Sequence, residues 1–226
     1  MRTIFSVDAV ALDLDGTLLD TLPDLAEAAE RMLAELGCAP AGTDRVRDFV
    51  GNGIPRLVKR LLSGAREGEP PPEQFARALA SFQRHYRDTF LRSPAAFPGV
   101  EEGLVRMREQ GLRLACVTNK SGDFTLPLLE VTGLAAMLDY VVSGDSLPAK
   151  KPDPLPLQHI AQRFGVPPAR LLMVGDSDND TQAARAAGCP VVCVPYGYSG
   201  GLRVRDLDCD AIVSDLIEAC ALIARA

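Results

Sequence analysis

The stretch Val10-Ala11-Leu12-Asp13-Leu14-Asp15-Gly16-Thr17-Leu18-Leu19-Asp20-Thr21 decides how the rest of the chain is read. An apolar run ends in two carboxylates one residue apart, followed by Gly and Thr. The pattern predicts a buried strand that stops at Asp13, with a turn directly after it. In open α/β sheets, ligands collect outside the carboxyl ends of the strands. Side chains at i and i+2 of an extended chain point the same way, so Asp13 and Asp15 can face one site. Taken alone, Asp15-Gly16 is equally an ordinary acidic turn. The remainder of the chain decides between the two.

Downstream of the turn, Leu22, Leu25, Ala29, Met32, Leu33 and Leu36 recur at helical spacing, and Gly37 supplies a stop. Gly51-Asn52-Gly53 precedes a second helix expected from Ile54 to Leu62. A Gly/Pro-rich loop follows, and Phe75, Leu79, Phe82, Tyr86 and Phe90 mark a further helix. The region from about 20 to about 93 therefore reads as all helix. At Ser93-Pro94 the grammar changes. Strands are expected at Leu112 to Val117, Tyr140 to Val142, Leu171 to Val174, Val191 to Val194 and Ala211 to Val213, with helices between them. Asp215 caps a final helix. Alternating strands and helices imply a parallel sheet with right-handed crossovers. Val7 to Leu12 belongs to that sheet by character. The expected fold is α/β: a Rossmann-like parallel-sheet core with an all-helical domain inserted after the first strand. Residues 1–19 and 94–226 would form the core, and residues 20–93 the insertion.

Bulk properties exclude several classes. The chain has 226 residues, 47% hydrophobic and 24% charged, which is ordinary globular material. A net charge of −6 argues against a nucleic-acid surface. Six scattered cysteines without a C-x-x-C pair read as reduced thiols, with Cys116 and Cys193 in strand-like runs. That usage points to the cytoplasm. His85 and His159 fall in helical stretches, which argues against a Ser-His or Cys-His triad and against a His-rich zinc site. The N-terminal residues lack the apolar core of a signal peptide, and no stretch reaches transmembrane length, so no membrane association is expected.

Three more polar clusters follow apolar runs. Thr118-Asn119-Lys120 offers a hydroxyl and an amide that can donate to an anionic oxygen, or simply cap a helix. Lys150-Lys151-Pro152-Asp153-Pro154 offers a point charge for phosphate, or a solvated loop. Gly175-Asp176-Ser177-Asp178-Asn179-Asp180 crowds three carboxylates at a strand end and helix start. Capping and the helix dipole account for one or two of these. Two unit charges about 4 Å apart repel by roughly 4 kcal/mol at an effective dielectric of 20. Several carboxylates in one crevice therefore need protons or a cation, and an oxygen-only donor set suits Mg²⁺. Carboxylates, a cation, a lysine and Thr/Asn donors leave room for an anion, and phosphate fits.

With these clusters in hand, the chain resembles the phosphatase branch of the haloacid dehalogenase superfamily over essentially its whole length. Asp13-Leu14-Asp15-Gly16-Thr17-Leu18, Thr118-Asn119, Lys151-Pro152 and Gly175-Asp176-Ser177 with Asp180 look like its four motifs in order. The helical block matches the family's mobile cap. The resemblance implies that Asp13 attacks phosphorus and that Asp15 is the acid/base. Thr118 and Lys151 would bind the phosphoryl group, with Asn119 beside them. The implied metal site joins the Asp13 carboxylate, the Asp15 backbone carbonyl and Asp176. Asp180 would steady Lys151 or metal-bound water, and Asp178 matches no role. An acid at Asp15 argues against a true dehalogenase, which expels halide. Gly51-Asn52-Gly53 and Arg56, with Arg60 beyond, look like the cap loop of phosphoglycolate phosphatases. Gly51 and Gly53 would let backbone N–H groups approach an anion, and Arg56 would pair with a substrate carboxylate. A β-phosphoglucomutase would carry a hinge His, absent from Asp20-Thr21-Leu22-Pro23.

The expected activity is Mg²⁺-dependent hydrolysis of a small anionic phosphomonoester, first of all 2-phosphoglycolate, by a monomer or homodimer. Pyrophosphate, a sugar phosphate or a nucleotide are alternative substrates. A non-catalytic phosphate-binding protein is the alternative class, disfavoured because pure binding needs no acid/base residue.

Overall fold

The computed structural model describes residues 5–225. Its centre is a six-stranded, all-parallel sheet built from β2 (Ala9–Leu12), β5 (Arg113–Val117), β6 (Tyr140–Val142), β7 (Leu171–Gly175), β8 (Val191–Cys193) and β9 (Ala211–Ile212). The strand order is β6-β5-β2-β7-β8-β9. β2 lies between the two halves, with Leu12 beside Cys116 of β5 on one side and Val174 of β7 on the other. Every residue of β2 is buried, as expected for a parallel strand covered on both faces. Val10 and Leu12 join an apolar cluster with Leu104, Met107 and Leu216. Ala9 and Ala11 point the other way, where Leu157, Ile160 and Ala184 cover them. The crossover helices that supply these residues are α5 (Val100–Glu109), α7 (Leu155–Phe164), α8 (Asp178–Ala187) and α9 (Leu216–Ala221).

The strand expected over Val7 to Leu12 is broken at Asp8. β1 (Phe5–Val7) leaves the main sheet and pairs in parallel with β10 (Ile223–Arg225), a C-terminal strand the sequence pattern did not suggest. Asp8 explains the break: its N–H donates to the Arg170 carbonyl, and Arg170 donates back to its carboxylate at 3.2 Å.

The sheet is interrupted once, by a helical segment between β3 (Leu19–Asp20) and β4 (Ala95–Ala96), two short strands that pair antiparallel. Between them run α1 (Leu22–Glu35), α2 (Thr43–Phe49), α3 (Ile54–Ser63) and α4 (Pro72–Thr89). Their facing sides bury a cluster of their own, including Met32, Val46, Leu57, Val58, Phe82 and Tyr86. Phe124 of α6 (Gly122–Val131) enters that cluster, its ring 4.8 Å from Tyr86 and 5.1 Å from Phe90. Tyr198 enters it as well. Its hydroxyl donates to Asp20 and accepts the N–H groups of Thr21 and Leu22 at 3.0 and 3.1 Å. The start of α1 is thereby fixed to the sheet-bearing part of the molecule. Among the described residues, no helix is long and apolar enough to cross a membrane.

Candidate active site

The site is assembled at the carboxyl ends of β2, β5 and β7, where strand order diverges to either side of β2. That is the expected ligand crevice of an open parallel sheet. Asp13 follows β2 directly, and its N–H donates to the Val174 carbonyl at 3.0 Å. The chain then turns tightly, with the Gly16, Leu18 and Leu19 N–H groups all bonded within the turn. Gly16 adopts φ +91°, and a Cβ there would lie 2.3 Å from Asp176 Oδ2. Only glycine lets the turn approach that carboxylate. Gly197 has the same function from the other side, since a Cβ on it would lie 2.4 Å from the same oxygen.

Asp176 is buried, and its carboxylate accepts from Thr17 Oγ1 at 3.0 Å and from the Tyr198 N–H. Asp180 folds back beneath Gly175, whose missing side chain makes the space. As the third residue of α8 it completes a capping box with Ser177. Its Oδ2 accepts the N–H groups of Asp176 and Ser177 and the Ser177 hydroxyl. Its Oδ1 accepts from Lys151 Nζ at 2.6 Å. Lys151, only 2% exposed, reaches Asp13 Oδ1 at 2.8 Å as well. One buried ammonium therefore bridges the first and last clusters of the sequence.

Carboxylate oxygens of Asp13, Asp176 and Asp180 lie within 4.8 Å of one another. Burial pushes the Asp13 carboxyl up to about 7, with Lys151 pulling the other way and Asp180 adding repulsion. Burial, then the charges of Asp180 and Asp13, raises Asp176 well above the carboxylate range. Such a cluster holds protons or a cation. Asp180 takes three donors on Oδ2 and the Lys151 ammonium on Oδ1, whereas Asp176 accepts one neutral donor on each oxygen, which leaves Asp13 and Asp176 as the better placed side-chain donors. An all-oxygen donor set of this kind fits a hard divalent ion such as Mg²⁺.

Asp15 faces a second buried lysine. Lys120 Nζ lies 2.9 and 3.0 Å from its two carboxylate oxygens, and Thr21 Oγ1 donates to Oδ1 at 2.6 Å. Tyr86 lies beneath the ammonium, its ring centroid 5.1 Å away. Burial alone would lower the Lys120 pKa; Asp15 and Tyr86 reverse this and raise it. Thr118 is buried and accepts from the Lys120 N–H at 3.1 Å; Ser121, not Thr118, stands at the N-cap of α6.

Asn119 ties these clusters to the helical segment. Its Nδ2 donates to the carbonyls of both Lys151 and Gly51 at 2.8 Å. Two carbonyl partners fix the amide orientation. Its Oδ1 is left buried without a partner. Asn52 Nδ2 donates to Asn179 Oδ1 at 2.7 Å, and Lys150 Nζ donates to the Asn52 carbonyl at 2.8 Å.

A cavity of about 40 Å³ results. Asp13, Asp15, Thr118, Asn119 and Lys120 line it from the strand ends, and Leu25, Val50, Gly51, Gly53, Ile54 and Leu57 from the helical segment. Asn52 is not among the lining residues and serves the seam instead. Arg56 is not among them either: it pairs with Glu67, and with Glu69 at 2.8 Å, on the far side of α3. Arg60 is buried, holding the Phe49 and Arg66 carbonyls. The sequence reading passed over Lys120, Thr17, Tyr198 and Asn179. Lys120, Asn179 and Thr17 all sit inside motifs already quoted. Tyr198 lies in a loop with no pattern to flag it.

This architecture and this set of strand-end residues define a class of hydrolase. Residues 10–194 match the haloacid dehalogenase-like hydrolase family, and the chain belongs to it. Within that family it is phosphoglycolate phosphatase-like, a phosphoric monoester hydrolase. It is 53% identical over 220 residues to a phosphoglycolate phosphatase of Thiobacillus denitrificans, covering 97% of both chains. It is 55% identical over 217 residues to one of Nitrosospira multiformis, covering 96% of both. Among solved structures, a predicted phosphoglycolate phosphatase from Haemophilus somnus superposes with a TM-score of 0.89 at 32% identity. That match covers 96% of this chain and 97% of the other.

Proposed function

We propose that this protein is a Mg²⁺-dependent phosphomonoesterase of the cytoplasm that hydrolyses 2-phosphoglycolate to glycolate and phosphate. Residues 20–93 act as a cap that closes over a core made of residues 5–19 and 94–225; residues 1–4 and 226, expected in the core from the sequence, lie outside the described residues. The observation that carries this reading is the meeting of Asp13, Asp15 and Thr118 at a cavity under the helical segment, with Lys151 and Asp176 behind them. The described cysteines are free, in keeping with a reducing compartment.

In the first half-reaction an Asp13 carboxylate oxygen attacks phosphorus. The bond from phosphorus to the glycolate oxygen breaks, and Asp15 gives that oxygen a proton. In the second, Asp15 takes a proton from a water that attacks the aspartyl phosphate, releasing phosphate and restoring Asp13. Lys151 and Thr118 hold the transferring group, whose charge needs positioning and stabilisation more than covalent help. Asp180 keeps Lys151 aimed at Asp13. Mg²⁺, held by Asp13 and Asp176, would neutralise charge on the phosphoryl oxygens.

A substrate panel tests the reading. With Mg²⁺, 2-phosphoglycolate should exceed pyrophosphate, glucose 6-phosphate and a nucleoside monophosphate by at least about 100-fold in kcat/KM. Equal or better turnover of any of the three overturns the assignment of substrate. Turnover of none of the four overturns the enzymatic reading.

A further inference from the structure

A leaving group that carries its own carboxylate is held most strongly by a cation in this cavity. Its walls on the helical side are Leu25, Val50, Ile54 and Leu57 with two glycine backbones. Arg56 faces away and is paired with Glu67 and Glu69. Lys151 lies between Asp13 and Asp180, on the side of the phosphoryl group. Lys150 holds the Asn52 carbonyl in the seam. Among the described residues lining the cavity, Lys120 is the one cation.

Its placement is specific. Asp15 must touch the oxygen that joins the phosphoryl group to the organic half, and Lys120 Nζ contacts both carboxylate oxygens of Asp15. The ammonium thus stands one contact beyond the bridging oxygen, which is where a two-carbon hydroxy acid carries its carboxylate. Two of its contacts are the Asp15 oxygens and the Tyr86 ring lies to another side, and Lys120 still lines the cavity. Burial at 5% exposure and the Tyr86 ring hold the stem in place, so the charge is preorganised.

We propose that Lys120 is the specificity-determining residue of this site, and that it binds the carboxylate of an α-hydroxycarboxylate leaving group while it positions Asp15. This inference rests on the phosphomonoesterase reading above. It assigns recognition of the organic half to the sheet-bearing part of the molecule, with the helical segment contributing an apolar cover.

The test compares two esters with the same bridging oxygen: 2-phosphoglycolate and 2-hydroxyethyl phosphate, whose hydroxymethyl group replaces the carboxylate. Wild-type enzyme should prefer the first by at least about 100-fold in kcat/KM. Lys120→Met loses the partner of Asp15 as well, so both rates fall, and the readout is their ratio. That ratio should collapse to within about tenfold of unity, mainly through KM. Lys120→Arg, which keeps a cation, should retain part of the preference. Equal losses on both esters would assign Lys120 to Asp15 alone and overturn the inference. If Lys120→Met does not fold, the wild type still decides: glycolate should inhibit at least about tenfold more tightly than ethylene glycol, and equal inhibition overturns the inference. A wild type that prefers the neutral ester overturns it while leaving the phosphatase reading intact. A wild type that hydrolyses neither ester overturns both.

Discussion

The cavity has a floor made by strand ends and a roof made by the helical segment. The floor brings Asp13, Asp15, Thr118, Asn119 and Lys120, and behind them Lys151, Asp176 and Asp180. Nearly every polar atom there is held by another, down to the capping box that fixes Asp180. The roof brings four aliphatic side chains and the backbone of Gly51 and Gly53. Its contacts with the floor include a seam of amide and lysine hydrogen bonds from Asn119, Asn179 and Lys150 to one loop, beside the Tyr198 hydroxyl on Thr21 and Leu22 and the packing of Phe124. The difference separates two functions of an active site. A buried, mutually restrained floor supplies fixed charge to a transition state at little reorganisation cost. A roof of aliphatic side chains and glycine backbone brings no charge and shapes the space beside it.

Changes in the floor should therefore be far more damaging than changes in the roof. The largest effect is expected from Gly16→Ala. Its Cβ would fall 2.3 Å from Asp176 Oδ2, at a backbone angle unfavourable to any side chain. kcat/KM should fall by about 100-fold, and the Mg²⁺ concentration for half-maximal activity should rise by about 10- to 100-fold. Steady-state kinetics across a Mg²⁺ titration reads both, and an unchanged metal requirement would detach Gly16 from the metal site.

The second expectation concerns protons. In the metal-free protein the folded Asp13 carboxyl titrates at about 7 rather than at 3.8, and Asp176 is shifted the same way. The folded state therefore binds protons that the unfolded state has lost. These two groups contribute stability at low pH that disappears as pH rises from about 4 through about 7. A divalent ion competes with those protons. The rise in Tm produced by Mg²⁺ should be small at about pH 5, grow through about pH 7 and level off above it. Thermal melts with and without Mg²⁺ check this, and a rise that shrinks with pH contradicts it.

The smallest effect belongs to the seam. Asn179→Ala removes the acceptor of Asn52 and a long contact to the Gly51 carbonyl, while leaving the floor intact. One such hydrogen bond is worth about 1 kcal/mol, so KM should rise about fivefold with kcat within about twofold. A loss of kcat by 100-fold would place Asn179 in the floor instead.

The same contrast explains what was legible in the sequence. The floor depends on charged residues placed directly after apolar runs, a pattern that stands out without coordinates. Asp13, Lys151, Asp176 and Asp180 were readable because each ends a strand or opens a turn or helix. The parallel sheet was readable from alternation, and the helical insertion from an unbroken run of period 3.6. The roof writes in apolar residues that serve equally as helix core, so Leu25, Ile54 and Leu57 carried no sign of lining a cavity. Arg56 drew attention as a cation near a glycine loop, but Glu67 and Glu69 lie across a loop whose path the sequence does not fix. Lys120 was passed over because adjacency to Thr118-Asn119 gives no direction. Only the fold shows that it reaches Asp15. The split at Asp8 depends on its contact with Arg170, and the pairing of β1 with β10 on a contact between residues near opposite ends of the chain; local pattern encodes neither.

The most direct test is a crystal structure of the protein grown with Mg²⁺ and beryllium fluoride, a mimic of the phosphorylated carboxylate. The expected result is beryllofluoride bonded to an Asp13 carboxylate oxygen, an ion shared with Asp176, and the Lys151 ammonium against the fluorides. An adduct on any other side chain, or metal bound away from Asp176 with Asp13 unmodified, would contradict the account.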